Sequence, residues 1–376
     1  MKKIMNPTQI IYDTSAVDYI ASLKPKNVCI TTDPIMLKLG ILDPIRDYLK
    51  AQKIAYEIFS DVQPDPSEAL VQKGLMHIIE TKPDLIIALG GGSAIDLAKA
   101  IVFYCIKIKE KLMQSEYIHK PLFVAIPTTS GTGSEVTNYA VITSSDGKKQ
   151  VIQSELIQPD VAILDASLTL SAPDNLTAET GFDALTHALE AIVSLESNPF
   201  SEAYALKAIE LIFENLIPAY QTCTHLESKK NMQLASTMAG MAFNQSGLGL
   251  CHSIAHSIGA TCHLSHGLSN ALVLPEVMKF NSRNHQVRDQ YNMVSQYLGL
   301  VLDSPDMNVK ALIESIRIIK QRLNLPTHLH ELNIPMDVIL SNMPKIITEV
   351  KQDFCSESNP INFTDEDIRG IIMTIC

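Results

Sequence analysis

The stretch "LIIALGGGSAIDLAKA", residues 85–100, reads as a buried strand, a glycine turn and the opening of a helix. Residues 85–89 are apolar without alternation, as in a strand covered on both faces. Gly90, Gly91 and Gly92 let the backbone reverse sharply and approach a ligand without Cβ clashes. The free N–H groups of the helix that follows, with Ser93 beside them, can receive a phosphate. The pattern is not GxGxxG, and no GK[ST] follows as in a P-loop. Taken alone, the same turn also serves as a tight connection with no ligand.

Working outward, "NVCITTD" (27–33), "IAYEIFS" (54–60), "DLIIALG" (84–90) and "LFVAIPT" (122–128) are short apolar or β-branched runs bounded by Pro, Asp or Gly. "EALVQKGLMHIIE" (68–80) and "AIDLAKAIVFYC" (94–105) place apolar residues at i, i+3 and i+4, as amphipathic helices do. Alternation of strand and helix predicts a parallel sheet with right-handed crossovers. After about residue 172 strand patterns nearly cease. "LTAETGFDALTHALEAIV", "SEAYALKAIELIFENL" and "MQLASTMAGMAFNQ" are helical in period, and "SAPDN" (171–175) reads as hinge and helix cap. The expected organisation is α/β plus all-α: a dinucleotide-binding domain over 1–172 and a helical domain over 173–376.

The chain has 376 residues, 46% of them hydrophobic, enough for two cores. A net charge of −11 disfavours nucleic acid or an anionic membrane as partner. Seven cysteines without a CxxC pair suit a reducing cytoplasm better than a disulfide framework. In "MKKIMNPTQIIYD", Asn6, Pro7 and Gln9 interrupt the apolar run that a signal peptide needs. No run of ~20 apolar residues predicts a membrane span.

The second loop, "IPTTSGTGSEVT" (126–137), follows another apolar strand and offers Thr128, Thr129, Ser130, Thr132 and Ser134 with two glycines. Hydroxyls and free amides at strand ends make an anion-binding concavity, and two such loops favour a diphosphate over two coincidental turns. Asp33 ends a strand and has two readings. A carboxylate there can bind the adenosine ribose hydroxyls and repel a 2′-phosphate, or it can cap a helix that starts at Pro34.

"HSIAHSIGATCHLSHG", residues 252–267, holds four of the eleven histidines. On a helix, i and i+4 share a face, so Asp183 and His187 in "GFDALTHALE" form a chelating pair, and His252 and His256 a second. Gly259 is expected to let the chain bend before His263 and His266. One carboxylate with several imidazoles suits iron(II) or zinc. Spacing leaves open which of His256, His263 and His266 complete the sphere. Cys251 and Cys262 read as buried small residues.

Together, "GGGSAIDLAKA", "PTTSGTGSEVT", "TGFDALTHALEA" and "GLGLCHSIAHSIGATCHLSHGLSNALVLPEVMKFN" resemble the group III, iron-dependent alcohol dehydrogenases, in that family's order and over nearly the whole chain. The look is closest to the 1-propanol and ethanol dehydrogenases of diol or ethanolamine use. The resemblance implies a Rossmann-like N-terminal domain, a helical C-terminal domain of the dehydroquinate synthase-like kind, and a site between them. It implies Asp183, His187, His252 and His266 as metal ligands, from one helix for the first pair and another for the second, and His256 beside substrate and nicotinamide. His263 becomes structural. Cofactor contacts carry over to Asp33, Gly91, Gly92, Ser93, Thr128, Thr129, Thr132, Lys149 and Leu176; Asp65 stands where relatives often have Asn. Phe243 matches a position lining the substrate pocket, though its size also suits a core.

The implied reaction interconverts short-chain aldehydes and primary alcohols with NAD(H) and Fe2+, or Zn2+. A homodimer or larger homo-oligomer in the cytoplasm, free or within a microcompartment, is expected. The competing readings are a glycerol or diol dehydrogenase of the same superfamily and a non-catalytic metal- or nucleotide-binding protein.

Overall fold

The computed structural model describes residues 6–113, 120–145 and 149–376. The chain divides into two compact units, Met1–Ala172 and Pro173–Cys376.

The first unit contains strands β1 (Gln9–Tyr12), β2 (Asn27–Thr32), β3 (Ala55–Phe59), β4 (Leu85–Gly90), β5 (Leu122–Pro127), β6 (Tyr139–Thr143), β7 (Lys149–Gln153) and β8 (Val161–Leu164). Its helices are α1 (Ala16–Leu23), α2 (Pro34–Lys38), α3 (Asp43–Ala51), α4 (Glu68–Thr81) and α5 (Gly92–Met113). Six strands form a parallel sheet in the order β1-β8-β5-β4-β2-β3, while β6 and β7 pair as a separate hairpin. Side chains alternate across the pleat. Ile86 and Ala88 join the core under α4 and α5, whereas Leu85, Ile87 and Leu89 join the opposite core with α1 and α3. Burial on both faces is why these strands read as unbroken apolar runs.

The sequence runs from β2 outward to β3, then crosses back to β4 on the other side of β2. The connections leaving β2 and β4 therefore diverge, and a crevice opens at their carboxyl ends, the usual place for a ligand in such a sheet. β1 and β8 have four residues each. Runs that short give no periodicity to detect, and the hairpin β6–β7 was not anticipated either.

The second unit contains helices α6 (Asp174–Val193), α7 (Pro199–Gln221), α8 (Leu226–Ser246), α9 (Leu250–Cys262), α10 (His266–Asn281), α11 (His285–Tyr297), α12 (Pro305–Arg322), α13 (Met336–Gln352) and α14 (Asp365–Thr374). From Gly181 to Val193 every residue of α6 is buried, because α7, α8 and α10 pack around it. A helix without an exposed face must hold its polar residues inside, and Asp183, Thr186, His187 and Glu190 are held there. Glycines set these close approaches: a Cβ on Gly267 would lie 2.2 Å from the Glu179 carbonyl oxygen of α6.

Two local expectations are corrected. "SAPDN" supplies no side-chain cap: Pro173 occupies the N-cap of α6, where its ring constrains the entry instead. The chain does not bend at Gly259, which lies within α9. It turns at His263, whose left-handed backbone (φ 56°) ends the helix. Gly259 serves a close approach, since its Cβ would stand 2.9 Å from Ser269 Oγ of α10.

Candidate active site

In the second unit, Asp183 and His187 project from α6 one turn apart, His252 from α9, and His266 from the first position of α10. Three helices therefore contribute, not two, because the turn at His263 starts a new helix before His266. One ligand atom from each of the four residues lies within 4.8 Å of the others. The Nε2 atoms of His266, His252 and His187 stand 3.2, 3.7 and 3.9 Å from Asp183 Oδ1. A tetrahedral ion with bonds of about 2.0–2.2 Å sets its ligand atoms roughly 3.4 Å apart, so this donor set fits one.

The amide nitrogen of Asn270 also points into the cluster, donating to Asp183 Oδ1 at 2.8 Å and standing 3.1 Å from His252 Nε2 and 3.3 Å from His266 Nε2. Its two hydrogens serve at most two of these three acceptors. With the imidazoles unprotonated at Nε2, the lone pairs around this point outnumber those hydrogens, which is the electrostatic demand that a cation meets.

Asp183 is held well below the usual carboxylate range. Burial opposes its ionisation most strongly, but the charges of His187 and His266 and hydrogen bonds from His252 and His266 together outweigh it. His252 is affected in the reverse sense. Burial pulls it down, yet Glu190 and Asp183 lift it to about 9. Phe243 stacks on His187, so this half-buried ring braces a cluster imidazole.

His256 does not enter the four-residue cluster. It lies on α9 beside it, with its ring stacked on that of His266 at 5.2 Å between centroids, and its Nδ1 bonds Asp353 Oδ2 at 2.7 Å. Asp353 is itself fixed by Ser253 Oγ at 3.1 Å and the Cys355 N–H at 2.9 Å. Burial raises the carboxyl of Asp353, but the His256 hydrogen bond and charge bring it down to about 2.

In the first unit, the glycine turn is tighter than its sequence suggests. Gly90 still belongs to β4 and Gly92 already begins α5, so Gly91 alone makes the connection. The second loop rests directly on it. A Cβ on Gly91 would meet Thr129 Cγ2 at 3.4 Å, and one on Gly92 would meet Thr132 Cγ2 at 2.8 Å. The Thr128 N–H bonds the Gly90 carbonyl at 3.0 Å. Lys99 of α5 ties the loop down from beneath: its Nζ donates to Ser134 Oγ (2.9 Å), Thr137 Oγ1 (2.9 Å) and the Tyr139 carbonyl (2.7 Å). Asp96 accepts from Ser134 Oγ at 2.6 Å.

Asp33 realises the capping reading, with Oδ1 accepting from the N–H groups of Ile35 and Met36 at 2.9 and 3.1 Å. Its Oδ2 faces the turn, 3.3 Å from where a Gly90 Cβ would stand. One carboxylate thus has an oxygen for the helix and another for the crevice.

Residues 7–166 match the family model for iron-containing alcohol dehydrogenases, and residues 177–376 match that for the C-terminal part of the Fe-containing alcohol dehydrogenase family. The chain belongs to the iron-containing alcohol dehydrogenases. It is 36% identical to the NADPH-dependent butanol dehydrogenase of Clostridium saccharobutylicum, covering 99% of this chain and 97% of that one. It is 37% identical to the 1-propanol dehydrogenase PduQ of Citrobacter freundii, over 96% of each. A solved 1,3-propanediol oxidoreductase superposes with a TM-score of 0.90 at 30% identity, over 100% of both chains. The fold is thus the family's, a Rossmann-like α/β domain followed by a helical one.

Two further residues expected at the alcohol dehydrogenase's cofactor site stand on other elements than the glycine turn and the second loop. Lys149 opens β7 and pairs with Asp65. Leu176 lies in the first turn of α6, in the second unit. His263 is exposed, and its left-handed backbone makes the chain turn. Cys251 is buried and Cys262 only half-buried. Three residues of the alcohol dehydrogenase went unnoticed in sequence. Glu190 shares the face of Asp183 and His187 at i+7, and Asn270 follows His266 at i+4, so both were within reach of helical spacing. Asp353 has no local pattern, because only the fold brings it to His256.

No helix among the described residues is long and apolar enough to cross a membrane.

Proposed function

We propose that this alcohol dehydrogenase interconverts short-chain aldehydes and primary alcohols with NAD(H), RCHO + NADH + H+ ⇌ RCH2OH + NAD+. The observation that carries the proposal is the convergence of Asp183, His187, His252 and His266 on one point, the first three buried and His266 exposed. These four would hold Fe2+, with Zn2+ accepted by the same donors. The ion, when bound, supplies Lewis-acid polarisation of the substrate oxygen. The chain's own residues do the rest. His256, with Nδ1 committed to Asp353, keeps Nε2 for moving a proton between solvent and the substrate oxygen. Gly91, Gly92 and Ser93 with Thr128, Thr129 and Thr132 receive the diphosphate, Lys149 and Leu176 add further cofactor contacts, and Asp33 Oδ2 receives the ribose.

The names of the butanol and 1-propanol relatives support three- and four-carbon primary alcohols as substrates. The seven free cysteines support a reducing cytoplasm, and a homodimer or larger homo-oligomer is the proposed assembly. The test is NADH oxidation with acetaldehyde, propionaldehyde and butyraldehyde by iron-loaded and zinc-loaded enzyme. Activity that survives in His252→Ala at unchanged metal content would overturn the ligand set. Since one relative is named for NADPH, cofactor preference is a separate test: a higher kcat/KM with NADPH than with NADH would remove Asp33 from its proposed role.

A further inference from the structure

Helix α9, which carries His252, starts without a cap of its own, because Gly249 stands at its N-cap with no side chain to offer. Its first N–H groups are taken by side chains distant in sequence. The Leu250 N–H donates to Asn359 Oδ1 at 3.1 Å, and the Cys251 N–H donates to Glu190 Oε1 at 2.7 Å. The other oxygen of Glu190 meets His252 Nδ1 at 2.5 Å. Gly249 is what admits this carboxylate: a Cβ there would lie 2.9 Å from Glu190 Oε1 and 3.0 Å from Asn359 Oδ1.

Both oxygens of a buried side chain are thereby committed. One faces a backbone N–H that can only donate. The other faces an imidazole nitrogen that donates in one neutral tautomer and accepts in the other. An ionised carboxylate only accepts, so in the neutral imidazole Nδ1 carries the proton and Nε2 turns its lone pair toward the point shared with Asp183, His187 and His266.

We propose that Glu190 is a positioning residue that sets the tautomer of His252 and, through it, the affinity of this cluster for a divalent cation. Glu190 has this effect only if the ion is held by those four residues. The neutral isostere separates the two tasks of Glu190. In Glu190→Gln the backbone N–H of Cys251 cannot reverse its polarity, so the amide oxygen turns to it and the NH2 faces His252. The imidazole, which can reverse, then accepts at Nδ1 and carries its proton on Nε2, where it blocks the ion. Helix α9 keeps its cap and loses its ligand.

The experiment compares the full-length wild type with Glu190→Gln, Gly249→Ala and His252→Ala. Zinc affinity is read by competition with a chromogenic chelator, and the tautomer by nitrogen NMR of histidine-labelled protein. Glu190→Gln is expected to keep the wild-type circular dichroism, to bind zinc about 10–100-fold more weakly, and to carry the proton of neutral His252 on Nε2. Zinc-loaded wild type carries it on Nδ1. Gly249→Ala, which crowds the carboxylate without removing its charge, weakens zinc binding in the same direction and stands in should the Gln variant fail to fold. Wild-type zinc affinity in Glu190→Gln, with His252→Ala still impaired, overturns the role of Glu190 and leaves the ligand set standing. Wild-type affinity in His252→Ala overturns the ligand set and the role of Glu190 with it.

Discussion

The ring of Phe243 lies on the imidazole of His187, with centroids 4.4 Å apart and planes 23° from parallel. His252 stacks on the same imidazole at 4.6 Å and 18°. Two near-parallel rings therefore restrain the rotation of His187 about its side-chain bonds, so its nitrogen is aimed before any ion arrives. Phe243→Ala removes one of them. Phe243 is only half-buried, so a stability loss of about 2 kcal/mol is expected, below the ~3–5 kcal/mol of a fully buried Phe. Weaker zinc binding should accompany it, whereas Phe243→Leu restores the stability more than the binding. Chemical denaturation and chelator competition measure both, and equal zinc affinity in all three proteins would mean that Phe243 is packing alone.

Gly267 tests how closely α10 must approach α6. With a Cβ 2.2 Å from the Glu179 carbonyl oxygen, Gly267→Ala forces the two helices apart. His266 precedes Gly267, so the displacement moves a cluster donor directly. Metal content by elemental analysis should fall, with a stability loss of about 1–3 kcal/mol, the usual range for overpacking. Full metal content with unchanged melting would mean that the backbone yields without moving His266.

Proton and cation compete for His252. Its folded pKa of about 9 lies above the unfolded value of about 6.5. In the metal-free protein, protonation therefore contributes stability that is fully present below about 6.5 and fades as pH rises through about 9. Binding an ion at Nε2 displaces that proton. Zinc affinity is expected to rise steadily with pH up to about 9, with a proton released from His252 on binding. Calorimetry in buffers of different ionisation enthalpy counts the protons. An affinity independent of pH between roughly 7 and 8.5 would contradict this linkage.

Lys99 offers a test in the first unit. Its fully buried ammonium joins Ser134, Thr137 and the Tyr139 carbonyl to α5. Lys99→Met keeps much of the volume and loses all three hydrogen bonds. A stability loss of about 3 kcal/mol or more follows from stranding these acceptors beside Asp96. With the loop over Gly91 and Gly92 loosened, KM for NADH should rise far more than kcat falls. An unchanged KM would show that the loop holds its shape without the lysine.

The α/β order and the start of the helical half were legible because parallel strands covered on both faces read as apolar runs, and long helices repeat their pattern many times. β1 and β8 escaped because four residues carry no period. The cluster was legible only in part. Asp183 and His187 belong together by helical spacing, but spacing alone could not choose among His256, His263 and His266. The left-handed turn at His263 decides this by redirecting the chain, so that His266 faces Asp183 while His256 turns to Asp353. That backbone reversal has no composition of its own, and the carboxylate awaiting His256 lies on a segment far along the chain.

The origin of the four donors in α6, α9 and α10 makes a bound ion a brace across three helices, the first of them far from the other two in sequence. Such a clamp favours the folded form by mass action, by about 2.7 kcal/mol when free ion stands at a hundred times its dissociation constant. Chelation should then be felt as softening of the helical half, seen in faster amide exchange at the starts of α9 and α10, where the grip ends.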